Sequence, residues 1–344
     1  MVTIETVDLT AFSKLSLDAR DEKVKAGRAL VDALHNLGFV KIKGHGVSRE
    51  ELDEAFAWAK KLFHLPTSQK MKAPHPAGNM PHRGYSGLGQ EKVYNKDDVG
   101  GDKSPEELRK ISDYKESYEI GSEHDDQQQN IWLPYDVLPG FRAYMTSLYQ
   151  RLAGVGSVIL QAIAVGLGLD LDDEAYDSIR RLQSPSHCQL RLLHYPPITK
   201  QKLQTNTFTR LPAHTDWGTF TILFQDTHGG LELRDPKSGE FVHAEPEEGT
   251  LVLNVGDMLQ RFTNDYFTSA LHRVTVPSPE DLPQEDSSVP ARYSIPFFVA
   301  PAPSHTVATL GRFITPETPA KYEPVKFEEY GALVSKYQYQ DSES

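Results

Sequence analysis

The sequence predicts an α+β fold in which a mostly helical first half leads into a β-sandwich or barrel. Two observations carry this expectation. Apolar residues recur at helical spacing up to about residue 170, and after about residue 186 short alternating runs separated by turns replace them. With 344 residues, 38% of them hydrophobic and 24% charged, the chain can bury a sizeable core.

The elements follow in order. Leu30, Val31, Leu34 and Leu37 share one helical face over 24–38, and Gly38 stands where a left-handed cap ends such a helix. The run 39–43, FVKIK, alternates as a strand. Ser48 and Glu51 have the spacing of a capping box, and Leu52, Ala55, Phe56, Ala59 and Phe63 form the stripe of a second helix that Pro66 stops. Residues 81–112 mix Gly, Pro and charge without period and read as a long loop, a lid or a substrate-facing segment. From Phe141 a long core helix is expected, with Leu148, Leu152, Val155, Ile159 and Ile163 at steps of three and four. The apolar run 155–169 within it is broken by Gln161 and glycines and reads as core rather than as a membrane span. Strands follow in CQLRLLHY, GTFTILFQD, GLELRD, GTLVLNVGD, HRVTVPS and RYSIPFFVA. The organisation expected is one globular unit: 1–185 mostly helical, 186–312 the β core and 313–344 a C-terminal segment.

Composition narrows the function. A net charge of −12 argues against nucleic acid and anionic membrane as partners and favours a small molecule. The single cysteine, Cys188, can form no intramolecular disulfide, and no basic segment followed by an apolar run opens the sequence. A cytoplasmic protein is expected. Oligomeric state is not legible.

Chemistry concentrates in LPAHTDWGTF, residues 211–220. Two His-x-Asp pairs occur. His124 and Asp126 lie in the polar loop 122–130, whereas His214 and Asp216 lie where strand character begins, so a period of two sends both to one face. His272, which opens the strand run HRVTV, is the leading third ligand. Two imidazoles and one carboxylate with open positions opposite are the ligand set of a non-haem Fe(II) oxygenase, and no cysteine cluster supports a closed zinc site. In RYSIPFF, Arg292, Ser294 and Phe298 fall on one strand face. A buried Arg beside a Ser calls for an anion, and a dicarboxylate would place its far carboxylate there and its oxo-acid end on the metal.

The His-x-Asp, the distant His and the Arg-x-Ser resemble the isopenicillin N synthase-like branch of the Fe(II)/2-oxoglutarate-dependent dioxygenases. The resemblance extends to GFVKIKGHGV and KLFHLPTSQK in the N-terminal half, HGGLEL and NVGD in the core, and KYEPVKFEEY near residue 321. It implies a double-stranded β-helix (jelly-roll) core with flanking N-terminal helices and a C-terminal helix. It also implies Fe(II) on His214, Asp216 and His272, and 2-oxoglutarate and O2 as co-substrates, with ascorbate a candidate reductant. Tyr195 matches the family tyrosine that bonds the 2-oxoglutarate carboxylate. Leu193 stands where some members have asparagine, and Arg191, on the same strand face, is a candidate substitute. The expected reaction is hydroxylation, desaturation or rearrangement of a metabolite or natural product, with release of succinate and CO2.

Candidate substrate contacts are Phe298, Phe262, Tyr85, Arg83, Lys115 and Tyr118. Trp217 is expected to point away from the metal and pack. Loops 81–112 and 196–210 would select the substrate. Three alternatives stay open: an oxidase of the same fold that uses no 2-oxoglutarate, a non-catalytic binding protein, and a zinc hydrolase on the same ligands, for which the Arg-x-Ser pair has no use.

Overall fold

The computed structural model describes residues 3–13, 19–78, 82–94, 112–169, 174–205, 208–276, 288–336 and 338–339. Helix α1 (Arg20–Leu37) buries Leu30, Val31, Leu34 and Leu37 and ends at Gly38, whose backbone (φ 72°) turns its N–H to the Leu34 carbonyl. Helix α2 (Arg49–Phe63) starts at Ser48. The Ser48 hydroxyl accepts from the Glu51 N–H at 3.1 Å, and the Glu51 carboxylate accepts from the Ser48 N–H at 2.7 Å.

Helix α3 (Phe141–Gly166) is the long core helix. By length and composition it could cross a membrane, but most of its apolar stretch is buried within the protein. It packs on α1 at a glycine crossing, where a Cβ on Gly27 would lie 2.7 Å from the Ala162 carbonyl and one on Gly166 would lie 2.1 Å from that of Gly27. The last helix, α4 (Phe327–Val334), belongs to the C-terminal segment.

Twelve strands build the core: β1 (Thr6–Asp8), β2 (Phe39–Lys43), β3 (Gly84–Ser86), β4 (Glu116–Ile120), β5 (Gln189–Tyr195), β6 (Leu211–His214), β7 (Phe220–Gln225), β8 (Leu231–Arg234), β9 (Phe241–His243), β10 (Leu251–Val255), β11 (His272–Val274) and β12 (Arg292–Val299). Eight form one sheet in the order β1-β2-β10-β7-β12-β5-β4-β3, and four form a second, β9-β8-β11-β6. This is the jelly roll. The region read as mostly helical thus gives four strands to the large sheet, two at each edge, which pairs edges that would otherwise expose backbone groups. One of them, β3, lies within the stretch read as the loop 81–112; residues 95–111 of that loop lie outside the described residues.

The outer face of the large sheet is covered by α2 and α3, in one apolar core that includes Phe63, Ile159, Leu192 and Phe297. Between the sheets lies a smaller cluster of Phe39, Leu193, Tyr195, Leu211, Leu233 and Val252. Side chains that alternate away from the first core point into this space. Register then decides which of them meet: Arg292 pairs with Tyr195, Ser294 with Leu193, Thr221 with both Asn254 and Phe298, and Phe39 with Asn254.

Candidate active site

His214 closes β6 and is paired directly across the ladder with His272, the first residue of β11. Between this pair and Leu211–Val274 the β6 side carries one extra residue, a local irregularity of the bulge type. Asp216 follows in the turn after β6. Its carbonyl accepts from the Asp257 N–H at 2.8 Å, and the turn is pinned by a close approach in which a Cβ on Gly256 would fall 2.2 Å from the Gly218 carbonyl. The Nε2 atoms of His214 and His272 each lie 3.8 Å from Asp216 Oδ1, and the two rings are 4.3 Å apart.

The surroundings leave those three atoms free for a metal. His214 Nδ1 lies 2.9 Å from the Pro212 carbonyl and His272 Nδ1 lies 3.1 Å from that of Ala270, so each ring donates through Nδ1–H and keeps its Nε2 lone pair. Asp216 Oδ2 accepts from the Thr221 hydroxyl at 2.5 Å and from Asn254 Nδ2 at 2.7 Å, leaving Oδ1 uncommitted. Burial, aided by the neighbouring His272, pushes His214 down to about 4, so it is neutral at pH 7. For Asp216 burial works against the charge. The adjacent imidazoles and the two hydrogen bonds more than offset it and hold the carboxyl below its usual range. Among the described residues the cluster has three ligands, which suits an ion that keeps open positions.

Beside this cluster Arg292 is 1% exposed. Its Nε donates to the Gly229 carbonyl at 2.8 Å, Nη1 to Ser294 Oγ at 3.2 Å and Nη2 to Gln225 Oε1 at 3.2 Å, all neutral acceptors. Tyr195 lies under it, with the guanidinium carbon 5.2 Å from the ring centroid. The expected Arg292, Ser294 and Tyr195 are therefore together, and the arginine has no carboxylate partner among the described residues. A bound dicarboxylate would fit that deficit.

A cavity of about 270 Å³ opens onto His214 and Asp216. Phe298 and Arg83 line it, as expected of substrate contacts, although Arg83 Nη2 is already bonded to Asp125 at 2.7 Å. Other expectations need correction. Trp217, read as packing away from the site, is on the cavity wall. Arg191 also lines the cavity, but its guanidinium is taken by Glu119 at 2.7 Å and Glu91 at 3.1 Å, whose charges more than offset the effect of burial and keep it protonated. This leaves it an ion-pair role in place of the one expected on 2-oxoglutarate. Lys115 is buried on Glu91 at 2.6 Å, the Tyr85 hydroxyl donates to Glu116 at 2.5 Å, and the Tyr118 hydroxyl donates to the Ile131 carbonyl at 2.7 Å. All three are committed to partners within the N-terminal half. Phe262 sits in the helix-side core away from the cavity. The other His-x-Asp pair, His124 and Asp126, is exposed; Asp126 lies near Asp125 and His187, a second potential ligand cluster in which Asp125 already serves Arg83.

Sequence reasoning missed three features. His82, on the cavity wall, has both ring nitrogens buried without a partner among the described residues, and burial, aided by nearby Arg191, pushes it down to about 3. The C-terminal segment supplies another wall through Phe327, Val334 and Gln338, while Tyr339 stacks on His75 at 3.9 Å. Arg210, just before β6, is 2% exposed.

Two imidazoles on paired jelly-roll strands and a carboxylate from the adjoining turn, with open positions before them, define a non-haem Fe(II) oxygenase. Residues 4–138 match the family model described as non-haem dioxygenase in morphine synthesis N-terminal, and residues 186–301 match the 2OG-Fe(II) oxygenase superfamily. The chain belongs to that superfamily and is an Fe(II)- and 2-oxoglutarate-dependent dioxygenase. It is 38% identical to the 2-oxoglutarate-Fe(II) type oxidoreductase ppzD of Metarhizium rileyi, over 88% of this chain and 83% of that protein. It is 34% identical to the 2-oxoglutarate-dependent dioxygenase imqE of Aspergillus flavus, over 94% and 91%. Among solved structures it resembles a full-length Neurospora crassa protein crystallised in complex with alpha-KG and thymine, with a TM-score of 0.80 and 31% identity over 97% of this chain and 96% of that one.

Proposed function

We propose that the protein oxidises an uncharged small molecule of the natural-product type in the cavity between Trp217, Phe298 and the C-terminal helix. Fe(II) would be held by His214, Asp216 and His272, and 2-oxoglutarate by Arg292, Ser294 and Tyr195. When bound, these two groups supply the oxidising chemistry, spending O2 on the substrate and releasing succinate and CO2. The chain's own part is positional. Asn254 and Thr221 orient Asp216, two backbone carbonyls orient the imidazoles, and the aromatic wall keeps water from the reacting centre.

One observation carries the substrate class: each arginine or lysine on the cavity wall is already paired, Arg83 with Asp125, Arg191 with Glu119 and Lys92 with Asp113 at 2.8 Å. An anionic substrate would find no free counter-charge among them, whereas an uncharged one with a polar edge could bond to His82. The reading is supported by the fungal relatives and by the thymine complex of the Neurospora protein, a neutral ring in a similar fold. Nucleic acid and anionic membrane stay off the proposed partner list because of the −12 net charge.

An anaerobic titration of metal-free protein with Fe(II) and then 2-oxoglutarate tests the centre by the weak visible charge-transfer band of the chelate. Iron binding without that band would favour the oxidase that uses no 2-oxoglutarate. A screen of neutral and carboxylated candidates, scored by succinate release, tests the substrate class; stimulation only by carboxylated compounds would overturn it.

A further inference from the structure

Seven lysines and arginines are buried among the described residues, and five of them have a carboxylate within ion-pair distance: Lys70, Arg83, Lys92, Lys115 and Arg191. The two without one are Arg210 and Arg292, and they are neighbours. Their guanidinium carbons lie 5.8 and 5.2 Å from the centroid of the same ring, Tyr195. They also converge on one turn: Arg292 Nε donates to the Gly229 carbonyl, and Arg210 Nη1 lies 3.9 Å from where a Cβ on Gly230 would be. Arg210 Nη2 donates to the Pro290 carbonyl at 2.7 Å, while its buried Nε has no partner among the described residues.

Two like charges side by side in the interior, bonded only to neutral acceptors among the described residues, are unfavourable unless an anion joins them. Asp226 opposes this on Arg210 but forms no ion pair with it among the described residues and already accepts from the Tyr293 N–H at 2.6 Å. Burial first, and Arg292 second, push Arg210 down to about 10, which still leaves it charged at pH 7. A single arginine with a serine is enough to seat one carboxylate, so the second cation needs its own explanation.

We propose that Arg210 is a second cation of the co-substrate site, acting with Arg292 on the distal carboxylate of 2-oxoglutarate and making the site select dicarboxylic over monocarboxylic 2-oxo acids. This rests on the assignment of Arg292, Ser294 and Tyr195 to 2-oxoglutarate. Arg210 is a positioning residue that works through its field, with no role in the bonds made or broken. Its place in the 196–210 segment, read from sequence as substrate-selecting, becomes one of co-substrate selection.

The experiment is calorimetric titration of the full chain, loaded anaerobically with Fe(II), with 2-oxoglutarate and separately with 2-oxopentanoate, which keeps the chelating end and lacks the distal carboxylate. Arg210→Gln is expected to raise the Kd for 2-oxoglutarate roughly 10- to 100-fold, the range for losing one charge at partly screened short range. The Kd for 2-oxopentanoate should move by less than about 3-fold, a change too small for a lost ion contact. Arg210→Lys, which keeps the charge, should retain most of the preference for the dicarboxylate. An unchanged Kd for 2-oxoglutarate in Arg210→Gln, or equal weakening for both acids, would overturn the proposal, the latter pointing to a structural role. If Arg210→Gln does not fold, Arg292→Gln decides: residual preference for the dicarboxylate supports the second cation, and its complete loss refutes it. Failure of the unmutated protein to prefer 2-oxoglutarate would instead overturn the underlying assignment of the site.

Discussion

The buried cations packed against acids of the N-terminal half and those packed against Tyr195 differ in one respect. Lys115, Arg191, Lys92 and Arg83 each meet a carboxylate, and together they knit Glu91, Asp113, Glu119 and Asp125 to the edge strands. Arg292 and Arg210 are as deeply buried and, among the described residues, bond only to carbonyls, a hydroxyl and an amide. Residue type and burial are therefore poor guides to role. Whether the charge is balanced inside the protein separates a cation that holds the fold from one that waits for a ligand.

The comparison makes its largest demand at Lys115. Lys115→Met leaves Glu91 and Asp113 buried with less compensation, and the loss in unfolding free energy should be about 3–5 kcal/mol, read by chemical denaturation of the metal-free protein. A loss under about 1 kcal/mol would mean that the network is not structural. Arg292→Met should behave in the opposite way. Metal-free stability should stay within about 1 kcal/mol of the unmutated protein, because an unbalanced charge leaves with the side chain. The extra stability conferred by saturating 2-oxoglutarate, about 2.7 kcal/mol at a hundred times Kd, should vanish. If Arg292→Met unfolds as readily as Lys115→Met, the distinction between the two regions fails.

A smaller effect sharpens the metal side. Asn254→Ala and Thr221→Val each remove one bond to Asp216 Oδ2, and each should weaken Fe(II) binding by about 10- to 100-fold with little change in 2-oxoglutarate affinity at saturating metal. The smallest effect tests the fold far from either region: Ser48→Ala should cost about 1 kcal/mol through the lost cap of α2, with co-substrate binding unaltered.

Much of this is legible in the sequence because it depends on local spacing. The caps at Gly38 and Ser48, the stripes of α1 to α3 and the inward pairing of Arg292 with Ser294 follow from periods of 3.6 and 2. His214 and Asp216 stand out because both fall in a run that reads as strand, although the strand ends at His214 and Asp216 lies in the turn that follows. What escapes depends on contacts distant in sequence. Arg191 reads as a co-substrate ligand only while its cross-strand partner, Glu119, and Glu91 beyond it are out of view. Trp217 breaks the alternation because the strand ends at His214 and the chain turns. Arg210 differs from the cations of the N-terminal acid network only in having no acid within ion-pair distance among the described residues, which no one-dimensional pattern records.

The cavity wall built by α4 and Gln338 has a practical side. The Lys92 N–H donates to the Gln338 carbonyl at 2.9 Å, and Tyr339 is stacked a few ångströms further on, so the last residues described are part of the reaction chamber. Anything fused close behind Gln338 and Tyr339 is tethered next to that wall. Recombinant protein intended for substrate profiling should carry its tag at the amino terminus.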